Sequence, residues 1–173
     1  MATVIGMNAS RENRHSFPSP GFFQPTSYFL VGGSGDATQP LVAFDKALLA
    51  AGIGDVNLVR LSSIVAPGLP CVEPVALQAG SLVAVAYASI ECDCPGTLMA
   101  SAVAIAHPKD SSRASVIMEH SALAGIDLVR AEAEAMAREA MVSRDLELGR
   151  IESVGVEHRV CEVGCTFAGV VEI

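Results

Sequence analysis

The sequence predicts an α+β domain built in layers, on three observations. Its apolar patterning runs strand, helix, several strands, helix, two strands, without the regular strand–helix alternation of a βαβ nucleotide fold. The two longest strand candidates are apolar on both faces, which predicts sheets covered on both sides. Those strands also carry Ala84, Ala86 and Ala88, and Ala100, Ala102, Ala104 and Ala106, at alternate positions. Faces of alanine let a second layer approach closely.

Residues 1–25 place Pro18, Pro20 and Pro25 among polar residues and read as a loosely ordered arm, leaving 26–173 as a single domain. Tyr28 to Val31 reads as a strand ended by Gly32-Gly33-Ser34-Gly35. A helix follows, with Pro40 in its first turn and Gly52 at its end. Leu41, Phe44 and Leu48 recur at helical spacing and predict its buried stripe. Asp45 lies on the same side, either at the edge of that stripe or as a binding carboxylate aimed into a cleft. Gly52 to Asp55 is a tight turn. Val56 to Leu61 alternates as a strand and runs directly into Ser62-Ser63.

Pro67, Gly68 and Pro70 open a loop that ends near Gly80. The strands Leu82–Ile90 and Met99–Ala106 are joined by a turn at Asp93-Cys94-Pro95-Gly96. Ser115–Glu119 is a short strand. A second helix is predicted over 128–143, with Asp127 as its N-cap and Val129, Ala133, Met136, Ala137 and Ala140 as its buried stripe. Strands near Ile151–Val160 and Thr166–Glu172 complete the chain.

The chain has 173 residues, enough for one domain with a sizeable core. Hydrophobic residues make up 51% and charged residues 17%, so apolar surface is left over for a subunit interface. The net charge of −8 argues against a nucleic-acid partner and is compatible with a cationic substrate. Residues 1–16 show no signal-peptide pattern and no apolar run reaches membrane-spanning length, so a cytoplasmic location is expected. Five cysteines fit reduced thiols better than a disulfide framework. Cys92-x-Cys94 and Cys161-x3-Cys165 do not have zinc-knuckle spacing, and buried strand cysteines are the commoner case; no metal is expected. His15, His107 and His158 are too scattered to be ligands, and His158 reads as structural.

The run from Pro40 through Asp45, Gly52-Ile53-Gly54-Asp55, Asn57 and Arg60-Leu61-Ser62-Ser63-Ile64 resembles the pyruvoyl-dependent arginine decarboxylase family. The resemblance continues through Pro95-Gly96, Ile105-Ala106-His107-Pro108-Lys109-Asp110, Ile117-Met118-Glu119, Ile151 to His158 and Gly164-Cys165. It covers roughly Tyr28 to the C-terminus with the blocks in the same order. It implies a layered αββα sandwich that cuts itself between Ser62 and Ser63 into a β chain, 1–62, and an α chain, 63–173. Ser63 then becomes a covalent pyruvoyl cofactor, an electron sink with the logic of pyridoxal phosphate. The implied substrate is arginine, released as agmatine and carbon dioxide.

In this resemblance Ser63 attacks the Ser62 carbonyl, a step that strain at the strand end would help. Asn57 matches a position linked to processing, and Glu119 matches the proton donor. Asp45 would bind the guanidinium, and Leu48, Gly54, Val56, Ser62 and Ile64 would line the substrate pocket. Three protomers would assemble with sites between them. The chain departs from the family's pattern at Thr38-Gln39 and Val42, and at His120, which stands beside Glu119 and is expected to alter the acid's pKa or the pocket's shape. Two alternatives stay open: a pyruvoyl-dependent decarboxylase of another amino acid, such as lysine or ornithine, or an unprocessed, non-catalytic oligomeric binding protein of the same fold.

Overall fold

The computed structural model describes residues 23–173. All but the last three residues of the expected N-terminal arm, and His15 with them, lie outside the described residues. The elements are β1 (Tyr28–Ala37), α1 (Pro40–Ala50), β2 (Asn57–Arg60), β3 (Ile64–Val65), β4 (Leu82–Cys92), β5 (Leu98–Pro108), β6 (Ser115–Ala122), α2 (Ile126–Ser143), β7 (Leu148–Arg159) and β8 (Val163–Glu172).

They form two four-stranded sheets, ordered β1-β8-β4-β2 and β3-β6-β5-β7. Three apolar clusters define the layers. Ala43, Ala47 and Leu48 of α1 pack on Phe29, Val31, Val85 and Phe167 of the first sheet. Val129, Ala133, Ala137 and Met141 of α2 pack on Ala100, Ala102, Ala104 and Val116 of the second. Between the sheets lie Tyr28, Val65, Ala86, Val103, Ile105, Ile117 and Val170. The architecture is the layered αββα sandwich the resemblance implies, and alternate residues of each central strand feed alternate layers.

Several local expectations change. β1 does not stop at Gly32 but pairs with β8 from Tyr28 to Ala37. Gly33 and Gly35 are there for clearance: a Cβ on Gly33 would lie 2.2 Å from the Ala47 carbonyl oxygen, and one on Gly35 3.0 Å from that of Ala43. Because α1 sits this close to the sheet, its buried face is the small one, Ala43 and Ala47 with Leu48. Leu41, expected in the buried stripe, is 77% exposed. The second helix begins at Ile126, with Gly125 and not Asp127 at the N-cap. No side chain of the cap residue bonds there; the Ile126 amide donates to Glu157 Oε2 of β7 at 2.9 Å. Met141 takes the fully buried place expected of Met136.

His158 is structural, paired with Asp36, whose Oδ1 also accepts from the Cys161 amide at 3.0 Å. Cys165 is buried while Cys94 and Cys161 are exposed, and among the described residues no three His, Cys, Asp or Glu cluster as metal ligands. No helix of the described residues is long and apolar enough to cross a membrane. Glu172 follows Val170 at the next alternate position of β8, so its side chain enters the layer between the sheets. It is 5% exposed, its Oε1 has no hydrogen-bond partner among the described residues, and burial pushes its carboxyl up to about 7.

Candidate active site

β2 belongs to the first sheet and β3 to the second, so Leu61-Ser62-Ser63 is the crossing from one sheet to the other. The crossing is sharp, and Ser63 makes it with φ at 72°. For a residue with a Cβ this left-handed conformation costs about 1–2 kcal/mol. Asp145 is the other non-glycine among the described residues with positive φ, in the turn after α2. Strain at the strand end, expected on chemical grounds, therefore falls on the serine itself.

Two contacts fix Ser63 in that conformation. Its carbonyl oxygen accepts from the Ile117 amide at 2.9 Å, which continues the β3–β6 pairing of Ile64 with Val116. Its hydroxyl donates to Glu119 Oε1. Glu119 is aimed this way by the strand period. Ile117 packs between the sheets, and Glu119, two residues on, projects from the same face of β6. The same period turns His120 to the opposite face, between Met118 and Ala122, which pack toward α2. His120 thus presents its side chain to the face opposite the acid.

A second cluster forms at the other end of β2. Asp45, Leu48, Gly54 and Val56 line one cleft of about 460 Å³ with Leu41, Val42 and Phe44. Helical spacing places Leu41, Asp45 and Leu48 along one side of α1, and the 52–56 turn forms the facing wall. Gly54 belongs there sterically, since a Cβ would lie 3.0 Å from Leu49 Cα and 2.6 Å from Leu49 Cδ2. Asp45 is exposed to the cleft, not buried in the core. Asn57 stands beside this cluster and donates from Nδ2 to the Gly80 carbonyl at 3.0 Å.

The expected residues thus fall into two groups. Ser62, Ser63, Ile64 and Glu119 gather where β2 ends, and Asp45, Leu48, Gly54, Val56 and Asn57 gather where it starts. Seven steps of nearly extended chain separate Val56 from Ser63, roughly 20 Å. Sequence reasoning missed the Ile117 amide that pins the Ser63 carbonyl. A backbone contact leaves no mark on side-chain identity, so no sequence signal pointed to it.

A pyruvoyl group has to be made from a residue whose side-chain hydroxyl can reach the preceding carbonyl carbon. Ser63 carries a hydroxyl, held on Glu119, and follows that peptide with φ at 72°. A four-layer sandwich with such a serine at the crossing between its sheets has the arrangement expected of a pyruvoyl-dependent decarboxylase. The comparisons agree. The sequence pattern of the pyruvoyl-dependent arginine decarboxylase family matches residues 27–171. The pyruvoyl-dependent arginine decarboxylase of Methanocaldococcus jannaschii is 41% identical over 94% of this chain and 96% of its own length. That of Methanococcus aeolicus is 40% identical over 84% and 88%, and that of Thermococcus kodakarensis 31% over 77% and 85%. The chain belongs to the pyruvoyl-dependent arginine decarboxylase family.

Proposed function

We propose that the chain cuts itself between Ser62 and Ser63 and then decarboxylates L-arginine to agmatine and carbon dioxide. The observation that carries this is Ser63 at φ 72° with its hydroxyl on Glu119. In the first step the Ser63 Oγ–Ser62 carbonyl carbon bond forms, the Ser62–Ser63 C–N bond breaks, and the nitrogen takes the hydroxyl proton. The ester then eliminates: the Ser63 α-proton leaves, the Cβ–Oγ bond breaks, and Ser62 departs as a carboxylate. Water replaces the nitrogen, which leaves as ammonia. With the Ser63 carbonyl anchored by Ile117, the scissile peptide is the part free to rotate.

Once formed, the pyruvoyl group supplies the carbonyl and the electron sink that decarboxylation needs. The chain's own residues do the rest. Asp45 binds the guanidinium, whose planar fork suits a carboxylate better than the point charge of lysine does. Leu48, Val56 and Ile64 give the aliphatic stem an apolar wall, and Gly54 keeps the cleft open. Glu119 delivers the proton to the substrate carbon that has lost carbon dioxide.

Both groups are needed at one substrate, and an extended arginine is much shorter than β2 and its flanks. A second protomer is the economical way to join them. Exposed apolar side chains support an interface at this place: Leu41 and Leu49 on α1, Val59 on the edge strand β2, and Leu82 at the start of β4 are 77%, 53%, 45% and 75% exposed. The expected assembly is a trimer of cut protomers with sites between neighbours.

Intact mass under denaturing conditions tests the cleavage. Fragments 1–62 and 63–173, the second lighter than its plain sequence by one ammonia, are expected. A folded wild-type chain that stays whole would refute it. Arginine turned over faster than lysine or ornithine by kcat/KM is the expected substrate order, and the reverse would assign the enzyme to another amino acid.

A further inference from the structure

β2 is bonded to β4 by a parallel ladder whose rungs can be counted. The Asn57 amide donates to the Ser81 carbonyl at 2.8 Å, and the Leu61 amide donates to the Val85 carbonyl at 3.0 Å. Between them Val59 faces Ala84 and Arg60 faces Val85. Donors and acceptors both advance by two residues, so the next rung would run from the Ser63 amide to the Tyr87 carbonyl. That rung is not made. Ser63 has turned to φ 72°, and among the described residues its amide donates to no backbone acceptor.

The Tyr87 carbonyl has another donor. Arg60 Nη2 reaches it at 3.1 Å, and the guanidinium lies 4.5 Å over the centre of the Tyr87 ring. That ring is stacked on Phe167 at 5.0 Å, and Phe167 is fully buried. The guanidinium therefore rests on a fixed aromatic platform, a favourable cation–π arrangement. Without a donor, the carbonyl would compete for the nearest amide, and by register that amide belongs to Ser63. Extending the ladder would return Ser63 to extended backbone and swing its hydroxyl away from Glu119.

We propose that Arg60 is a positioning residue for self-cleavage: it occupies the Tyr87 carbonyl and so keeps the Ser62–Ser63 peptide out of the β2–β4 ladder. The nitrogen held free in this way is the one whose bond to Ser62 breaks. The role rests on the reading of Ser62–Ser63 as the cleavage site. It acts before any cofactor exists and is separate from turnover.

Cleavage of purified, freshly folded chains followed by intact mass tests it. Arg60→Ala is expected to cut about tenfold more slowly than wild type or worse, a loss in line with one hydrogen bond. Arg60→Lys and Arg60→Gln each restore a donor and are expected to recover part of the rate. A merely structural role would lower the melting temperature and would not track the donor. Amide exchange gives a second reading on chains that cannot cut: the residue-63 amide is expected to be unprotected in Ser63→Ala and protected in Arg60→Ala/Ser63→Ala. Wild type and folded Arg60→Ala cutting at one rate, or a residue-63 amide equally exposed in both uncut chains, would overturn the role of Arg60 alone. A wild-type chain that never cuts overturns the cleavage reading and Arg60's part in it together.

Discussion

The two ends of β2 solve the same backbone problem with different residues. Before the strand, the chain turns at Gly52 with φ at 77° and passes Gly54, where there is no room for a side chain. After the strand it turns at Ser63 with φ at 72°, although glycine would do so without strain. Among the described residues Gly68, Gly80 and Gly96 take up the other positive φ angles, apart from that of Asp145. A fold that spends glycine freely at its turns keeps a serine at one of them. Ser63 is the position where a side-chain hydroxyl has been retained against a conformational cost, and that hydroxyl meets Glu119. One end of β2 thus borders a cleft and the other strains a serine; under the proposed function the first holds the substrate and the second reacts.

Removing the hydroxyl should have the largest effect. Ser63→Ala is expected to leave one uncut chain with decarboxylation lowered at least about 10⁴-fold, since no cofactor can form; residual activity near wild type would erase the distinction between the two ends. Glu119→Gln is expected to lower kcat by about 10²–10⁴-fold in chains that have cut, with KM little changed; steady-state kinetics normalised to pyruvoyl content would show it. Asp45→Ala acts at the opposite end and is expected to raise KM for arginine about 10- to 100-fold, the loss of a charge-assisted hydrogen bond. A change in kcat alone would move Asp45 out of the binding cleft.

The smallest effect concerns stability. Glu172 sits in the row that joins Tyr28, Ala84 and Val59 across the first sheet. Its folded carboxyl is pushed to about 7 by burial, above the ordinary carboxylate range. The folded state therefore holds a proton that the unfolded state has released, and stability should fall as pH rises from about 4.5 to about 7. Glu172→Gln is expected to flatten that fall and raise the melting temperature at pH 8 by a few degrees, on the order of 1–2 kcal/mol. Parallel melting curves of both proteins across this range would remove the proposed penalty.

The layers were legible because they rest on periodicity. Alternating alanines on β4 and β5, and the stripe on α2, specify which face meets which layer whatever the neighbours are. The blocks around Ser62-Ser63 and Glu119 were legible as a family pattern. What sequence could not supply was clearance and rung geometry. Leu41 matches a buried stripe on paper, yet the close seat of α1 on Gly33 and Gly35 buries Ala43 and Ala47 in its place. His120 adjoins Glu119 in the chain but faces α2. The strain at Ser63 and the Arg60–Tyr87 contact are set by where one sheet ends and the next begins, and residue types at those positions do not announce it.

The central claim is that one substrate site needs the start of β2 from one protomer and the end of β2 from its neighbour. Mixed assemblies test it most directly. Asp45→Ala and Glu119→Gln chains, each impaired alone, should be co-expressed and assayed at low arginine. Sites shared between neighbours would restore about a quarter of wild-type activity in randomly mixed trimers, because one site in four would receive both intact residues. Mixed assemblies no more active than the separate variants, with both chains folded, cut and associated, would place both residues within one protomer and contradict the account.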